Sequence, residues 1–336
     1  HGFTPPFLPD FLFDFQKDLV KWAVEKGRAA IFADTGLGKT PMQLVWAQNV
    51  VEHTNKPVLI LTPLAVSAQT LREAEKFGID AAHSPYGDID NSSKIFITNY
   101  ERLKYFNPQD FAGVVCDESS ILKNFNGATK DRITVFMRKI PYRLLATATA
   151  SPNDFIELGT SSEALGYLGY IDMLNKFFVN DQNNSSINRF HGKAQQWRFK
   201  GHAERNFWRW VVSWARAIRK PSDLGYSDEG YILPPLHERE HAISVNKTRN
   251  GELFSIPAYT PEEQREERKL TIKERCELAA SLLDHDKPVV AWAHLNPEAD
   301  LLEKLIPGAK QVKGSQSDEE KEQILKDFAE GKIRAL

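Results

Sequence analysis

The chain has 336 residues, 41% of them hydrophobic, with 43 Lys and Arg against 45 Asp and Glu for a formal net charge of -2. That length suggests roughly two domains of about 150 residues each, and the apolar content suffices for packed cores, which excludes a disordered chain. Overall charge does not advertise a polyanionic partner. No apolar run reaches the ~18 residues of a membrane span, and no signal peptide opens the chain.

Read in order, Phe15 to Lys26 has apolar residues at helical spacing (Phe15, Leu19, Ala23) and stops at Gly27. Arg28 to Ala33 predicts a short strand, and Lys39 to about Glu52 a helix. Val58 to Leu61 is a continuous apolar run, the pattern of a strand buried on both faces. Ala68 to Phe77 predicts a helix, Lys94 to Thr98 and Gly113 to Cys116 strands, Asp131 to Arg138 a helix, and Tyr142 to Ala146 a strand. Strands alternating with helices imply a parallel sheet covered on both sides, whose ligands bind beyond the carboxyl ends of the strands.

The character changes over residues 161–230, where an Asn-, Gln- and Ser-rich tract is followed by Trp197, Trp208, Trp210 and Trp214. This segment reads as a helical insertion or connector. Between Arg189 and Lys220 it carries Arg189, Lys193, Arg198, Lys200, Arg205, Arg209, Arg216, Arg219 and Lys220 against the single acid Glu204. A helix over 203–220 would place Phe207, Val211, Trp214 and Ile218 on one side. It would place Arg205, Arg209, Arg216, Arg219 and Lys220 on the other, as either a solvated or a phosphate-binding face. Beyond Tyr231 the pattern resumes. Helices are expected near Ile272 to Leu283 and Glu298 to Leu305, a strand over Val289 to Ala293, and a helix opened by a Ser317–Glu320 capping box and closed at Gly331. Lys332 to Leu336 begins another strand.

Residues 33–40 read Ala-Asp-Thr-Gly-Leu-Gly-Lys-Thr, a phosphate-binding loop between a strand and a helix. Gly36 and Gly38 let the backbone approach phosphate, with Thr35 and Leu37 between and beside them. Lys39 supplies positive charge to the outer phosphates, and Thr40 offers a hydroxyl to magnesium. Asp117 and Glu118 follow the apolar strand Val114-Val115-Cys116. A carboxylate there can hold Mg2+, and its neighbour can orient or deprotonate water. Gln16 either matches the donor and acceptor edge of adenine or faces solvent from its helix. Cys116 and Cys276 are far apart in sequence, which fits a reducing, cytoplasmic setting. His83, His191, His202 and His294 have no partner at metal-ligand spacing, and there is no Gly-x-Ser-x-Gly elbow. Position 1 is His rather than Met, which implies a processed or engineered start.

With these pieces the chain resembles superfamily 2 helicases and translocases, most of all the SWI/SNF-like branch in the compact form common in bacteriophage. Phe15-Gln16 is similar to the adenine-reading motif, Ala33 to Thr40 to motif I, and Asp117-Glu118-Ser119-Ser120 to motif II. Leu61-Thr62-Pro63-Leu64 and Ile97-Thr98-Asn99-Tyr100-Glu101 resemble strand-end motifs that in the family touch the nucleic-acid backbone, which implies contacts at Thr62, Pro63, Asn99 and Tyr100. Thr147-Ala148-Thr149 resembles motif III, which couples nucleotide to nucleic acid. Leu233-Pro234-Pro235 resembles the start of a second RecA-like domain, and Val290-Ala291-Trp292-Ala293 its first strand. Ser119-Ser120 departs from the more frequent Ala-His or Ala-Asp, and Ala150 stands where proline is common. Motifs V and VI, the latter with the arginine finger, are not found.

The expectation is therefore α/β: two RecA-like domains (1–160 and 231–336, the second truncated) flanking a basic connector at 161–230. ATP and Mg2+ are the implied cofactors, and double-stranded or branched DNA the implied partner. The implied activity is DNA-stimulated ATP hydrolysis that drives translocation or remodelling, weak in this chain for want of the finger. An RNA-directed ATPase of the DEAD-box kind and a nucleotide-gated binding module without turnover are the alternatives.

Overall fold

The computed structural model describes residues 2–89, 93–123, 127–180, 197–232, 234–245, 247, 257–283 and 285–336. The chain divides into two compact units, His1–Leu233 and Pro234–Leu336.

The first unit is built on a seven-stranded sheet. Its strands are β1 (Arg28–Ala33), β2 (Val58–Thr62), β3 (Ala82–His83), β4 (Ile95–Asn99), β5 (Gly113–Asp117), β6 (Tyr142–Ala146) and, after the short antiparallel pair β7 (Phe178–Asn180) and β8 (Trp197–Phe199), β9 (Ala215–Ile218). The order across the sheet is β3-β4-β2-β5-β6-β1-β9, every pairing parallel. Helices α1 (Asp14–Lys26), α2 (Lys39–Thr54), α3 (Ser67–Lys76), α4 (Ala128–Arg138), α5 (Leu158–Leu165), α6 (Tyr170–Phe177) and α7 (Ala203–Val212) connect and cover it.

Successive side chains of a strand point to opposite faces, so each central strand feeds two cores. Ala29, Ile31, Val58, Ile60, Val115 and Leu144 join the core shared with α1 and α2, around the fully buried Trp46. Ala30, Phe32, Leu59, Leu61, Val114, Cys116 and Leu145 join the opposite core, which holds Phe136, Met173, Phe207 and Trp214. Burial on both faces explains why these strands read as unbroken apolar runs.

The segment 161–230 differs from its reading as a separate connector. Its described residues belong to the first unit, and the expected helix over 203–220 ends at Val212. The Ser213 hydroxyl donates back to the Trp210 carbonyl, and residues 215–218 then pair with β1: Ala30 N–H donates to Trp214 O, and Asp34 N–H to Ile218 O. The edge of β1 offered a ladder of backbone partners, and that long-range pairing overrides local helical periodicity. Arg189 and Lys193 lie outside the described residues, as does Leu233.

In the second unit, α8 (Pro261–Leu270), α9 (Ile272–Ser281), α10 (Asn296–Leu305) and α11 (Asp318–Ala329) are formed. The expected capping box opens α11: Glu320 N–H donates to Ser317 Oγ, and Ser317 N–H to the Glu320 carboxylate. The expected strand over 289–293 is reduced to a single parallel bridge, Val289 to Ala335.

Candidate nucleotide site and its neighbours

Three strand ends meet in the first unit. The loop after β1 carries Gly36 and Gly38, β5 ends in Asp117, and β6 ends one residue before Thr147. Gly38 sits immediately before α2 at φ 73°, a left-handed conformation that glycine adopts without penalty, and Gly36 lies at φ 82° with open space where a side chain would stand. Among the described residues no side chain caps the first turn of α2, which leaves its amides open to an anion. The Lys39 ammonium rests on the loop's own Ala33 carbonyl at 3.1 Å. Thr35 is exposed, its N–H held by Asp34 at 2.7 Å, and Thr40 is half-buried in the first turn of α2.

Gln16 does not face solvent, the second of its two expected placements. It is 3% exposed, and its amide is engaged by main chain at both ends. Nε2 donates to the Leu37 carbonyl at 2.9 Å, and Oε1 accepts from Phe13 N–H at 3.0 Å. As placed it ties α1 to the phosphate loop.

Asp117 is 6% exposed, and its Oδ1 accepts from Gln43 Nε2 at 2.6 Å. Burial pushes its carboxyl above the ordinary aspartate range; Gln43 and Lys39 oppose that rise, and Glu118 adds to it. The Gln43 Oε1 is buried without a protein partner among the described residues. Sequence reasoning missed Gln43. The available signal was an amide inside the otherwise apolar run Met42 to Ala47 of a helix. The Thr40 hydroxyl and the Asp117 carboxylate are both oxygen donors, the type that fits a hard cation such as Mg2+.

Glu118 has φ 48°, a left-handed backbone for a residue that disfavours it by on the order of 1–2 kcal/mol. Its carboxylate accepts from the Thr147 hydroxyl at 3.0 Å, and that hydroxyl in turn accepts from Thr149 N–H at 3.1 Å. The motif running Thr147, Ala148, Thr149 is thus fastened to Glu118 through its first residue, while Thr149 is exposed.

The expected nucleic-acid contacts divide. Thr62, Asn99 and Tyr100 come together at the neighbouring ends of β2 and β4, yet all three are buried, and only Pro63 is half-exposed. The Thr62 hydroxyl pairs with Ser67 Oγ at 2.7 Å. The Tyr100 hydroxyl donates to the Asp117 carbonyl and lies 3.1 Å from Cys116 Sγ. Burial holds the phenol well above its usual range, with Cys116, Asp117 and Glu118 adding to the effect, so it remains a donor. The expected one-sided basic helix is also corrected. Arg205 and Arg209 are exposed on α7, but Arg216 lies on β9 with its guanidinium 4.9 Å from the Trp22 ring centre. Arg219 pairs with Asp223 at 3.9 Å and Lys220 with Asp228 at 3.3 Å. A cleft of about 600 Å³ opens between Asp34 of the phosphate loop, Ala148 to Pro152, Trp208 of α7 and Arg219.

No protein-family profile matches the chain. It is 28% identical over 225 residues to the human DNA annealing helicase and endonuclease ZRANB3, covering 60% of this chain and 20% of that protein. The mouse protein of the same name is 25% identical over 219 residues, covering 59% and 20%. The chain thus spans about a fifth of the length of these curated relatives. Among solved structures, the Sulfolobus solfataricus SWI2/SNF2 ATPase core in complex with dsDNA is similar at TM-score 0.51 and 13% identity, over 100% of this chain and 78% of that one. The DUF1998 helicase MrfA bound to DNA is similar at TM-score 0.51 and 14% identity, over 96% of this chain and 41% of that one. At these identities the likeness is one of fold: the chain shares its α/β fold with the SWI2/SNF2 ATPase core and with MrfA.

Proposed function

We propose that a chain with this core fold is an ATP-dependent motor on DNA, in which nucleotide hydrolysis drives translocation along, or remodelling of, the duplex. One observation carries the hydrolytic part: the carboxylate of Glu118, one residue past Asp117, is held by Thr147 beside a phosphate loop with uncapped amides. The names of the relatives, a DNA annealing helicase and a SWI2/SNF2 core bound to dsDNA, support the DNA part.

In this reading the amides of residues 36–40 and the Lys39 ammonium bind the outer phosphates. Thr40 and Asp117 would hold Mg2+, which supplies neutralisation of phosphate charge when bound. Glu118 orients the attacking water and takes its proton. Gln43 fixes the Asp117 carboxylate, and Gln16 fixes the loop. Thr147 links the Glu118 carboxylate to the β6 loop, so a movement of that loop reaches the base. Arg205 and Arg209 offer exposed cations for phosphates of the DNA backbone.

The test is ATP affinity and turnover of wild type and Lys39→Ala with Mg2+, without nucleic acid, with duplex DNA and with single-stranded RNA. The reading expects duplex DNA to stimulate turnover most, and Lys39→Ala to lose both affinity and turnover. Unchanged affinity in Lys39→Ala refutes the phosphate-loop assignment, and stimulation by RNA alone refutes the DNA assignment.

A further inference from the structure

We infer that Tyr100 is a positioning residue for Glu118: its hydroxyl fixes the peptide joining Asp117 to Glu118 and so holds the proposed base in its left-handed conformation. The inference rests on the reading of Glu118 as the residue that activates water.

Among the described residues, only Asn55 and Glu118 combine a side chain other than glycine with positive φ. Asn tolerates that region because its short amide bonds to nearby backbone, whereas glutamate has no such compensation. A strained residue persists only where its surroundings over-determine it. The Thr147 bond acts on the carboxylate, which flexible side-chain torsions separate from the main chain, so it cannot fix φ by itself. The constraint must act on the backbone.

Tyr100 supplies it. The acceptor of its hydroxyl is the Asp117 carbonyl, which belongs to the same planar peptide unit as the Glu118 N–H. Relaxing Glu118 by turning that plane breaks the bond, so the bond closes one of the routes out of the left-handed conformation. The phenol is placed for this by the sheet order. β4 pairs with β2, and β2 pairs with β5, so Tyr100, the first residue after β4, reaches across the end of β2 to the end of β5. Its ring is buried, which fixes the hydroxyl's position, and the carbonyl it caps would otherwise be a buried acceptor at the last residue of the strand.

The test is Tyr100→Phe in the intact protein, which removes the hydroxyl and keeps the ring. The expected result is a fall in kcat of about 10- to 100-fold, as for a misplaced catalytic group, with ATP affinity within about twofold of wild type. In a Glu118→Gln background the same substitution should cost nothing further. Amide exchange across residues 114–120 should be roughly tenfold faster in Tyr100→Phe, since the local opening loses a restraint. As an independent check of the strain, Glu118→Gly should melt above Glu118→Ala, because only glycine accepts positive φ freely. The control is Lys39→Ala. If Lys39→Ala abolishes turnover while Tyr100→Phe leaves kcat at the wild-type value, this inference falls and the ATPase reading stands. If Lys39→Ala turns over normally, the ATPase reading falls. Wild-type exchange rates in Tyr100→Phe, equal losses of kcat and affinity, or an additive loss in the Glu118→Gln background each overturn the positioning role.

Discussion

Replacing Gln43 by leucine should separate stability from metal-dependent binding. The wild-type side chain is 1% exposed, donates to Asp117 Oδ1 at 2.6 Å, and leaves its own Oε1 without a partner among the described residues. Removing the donor forfeits a hydrogen bond to a charged group, about 1.5–3 kcal/mol, while removing the bare carbonyl relieves a buried unsatisfied acceptor of about 1–3 kcal/mol. The two nearly cancel, and leucine has similar volume, so the melting temperature should move by only a few degrees. Function has no such compensation. Asp117 loses the contact that orients it, and loss of a partner that orients a metal ligand costs roughly 10- to 100-fold in metal affinity, or about 1.4–2.8 kcal/mol. The assay is a fluorescent-ATP titration repeated over a range of free Mg2+. The Mg2+ midpoint should rise 10- to 100-fold, with nucleotide affinity in EDTA unchanged. An unmoved midpoint refutes the role given to Gln43. A drop in stability of several kcal/mol would show that Oε1 has a partner after all, such as a bound water, and the cancellation would fail.

Glu118→Gln keeps an acceptor for the Thr147 hydroxyl but cannot take a proton, so phosphate release should fall by about 10²- to 10⁴-fold with nucleotide binding preserved; normal turnover would put the base elsewhere. Arg205→Glu with Arg209→Glu should weaken duplex binding in anisotropy measurements and flatten the log–log salt slope by about one unit per lost phosphate contact. Unchanged affinity and slope would make these residues a solvated face. In the second unit, Glu298 is 3% exposed. Burial alone would raise its pKa, but the bonds from Arg275 and the main-chain N–H groups of Leu295 and His294 outweigh it and hold the carboxyl below its usual range. Its contribution is therefore complete above the unfolded value of 4.5 and is lost as pH falls through the lower folded value. Glu298→Gln should lose about 1.5–3 kcal/mol at neutral pH in denaturant unfolding and show a flatter acid limb; an acid limb identical to wild type refutes this.

What the sequence made legible was whatever depends on neighbours along the chain. The strand-end positions of residues 33–40, of Asp117 and Glu118 and of Thr147 were readable because each directly follows an apolar run of a parallel sheet. The box at Ser317 and Glu320 was readable because both partners lie within one helical turn. What failed depended on partners distant in sequence. Trp214 and Ile218 stand four apart, as on a helix face, but both are buried around a strand whose existence depends on β1, far upstream. The same fact removed the basic stripe, since the cations beyond Val212 left the helix and Arg219 and Lys220 met acids from the following turn. Tyr100 was expected at the nucleic-acid backbone and Gln16 at adenine or in solvent; both are buried, the first bonded to Asp117 and the second to Leu37.

The positive φ of Glu118 resolves a conflict built into adjacent carboxylates. In a strand continued without interruption, residues 117 and 118 would point to opposite faces of the sheet, so one of them would be driven into a core. Bending the chain sharply at Glu118 lets each acid find its own neighbour: Asp117 meets Gln43 on α2, and Glu118 meets Thr147 beyond β6. The two acids remain close enough that Glu118 adds to the rise in the Asp117 pKa that burial causes. The left-handed turn is therefore what sends the two carboxylates to different neighbours, and whatever holds that turn governs both acids together.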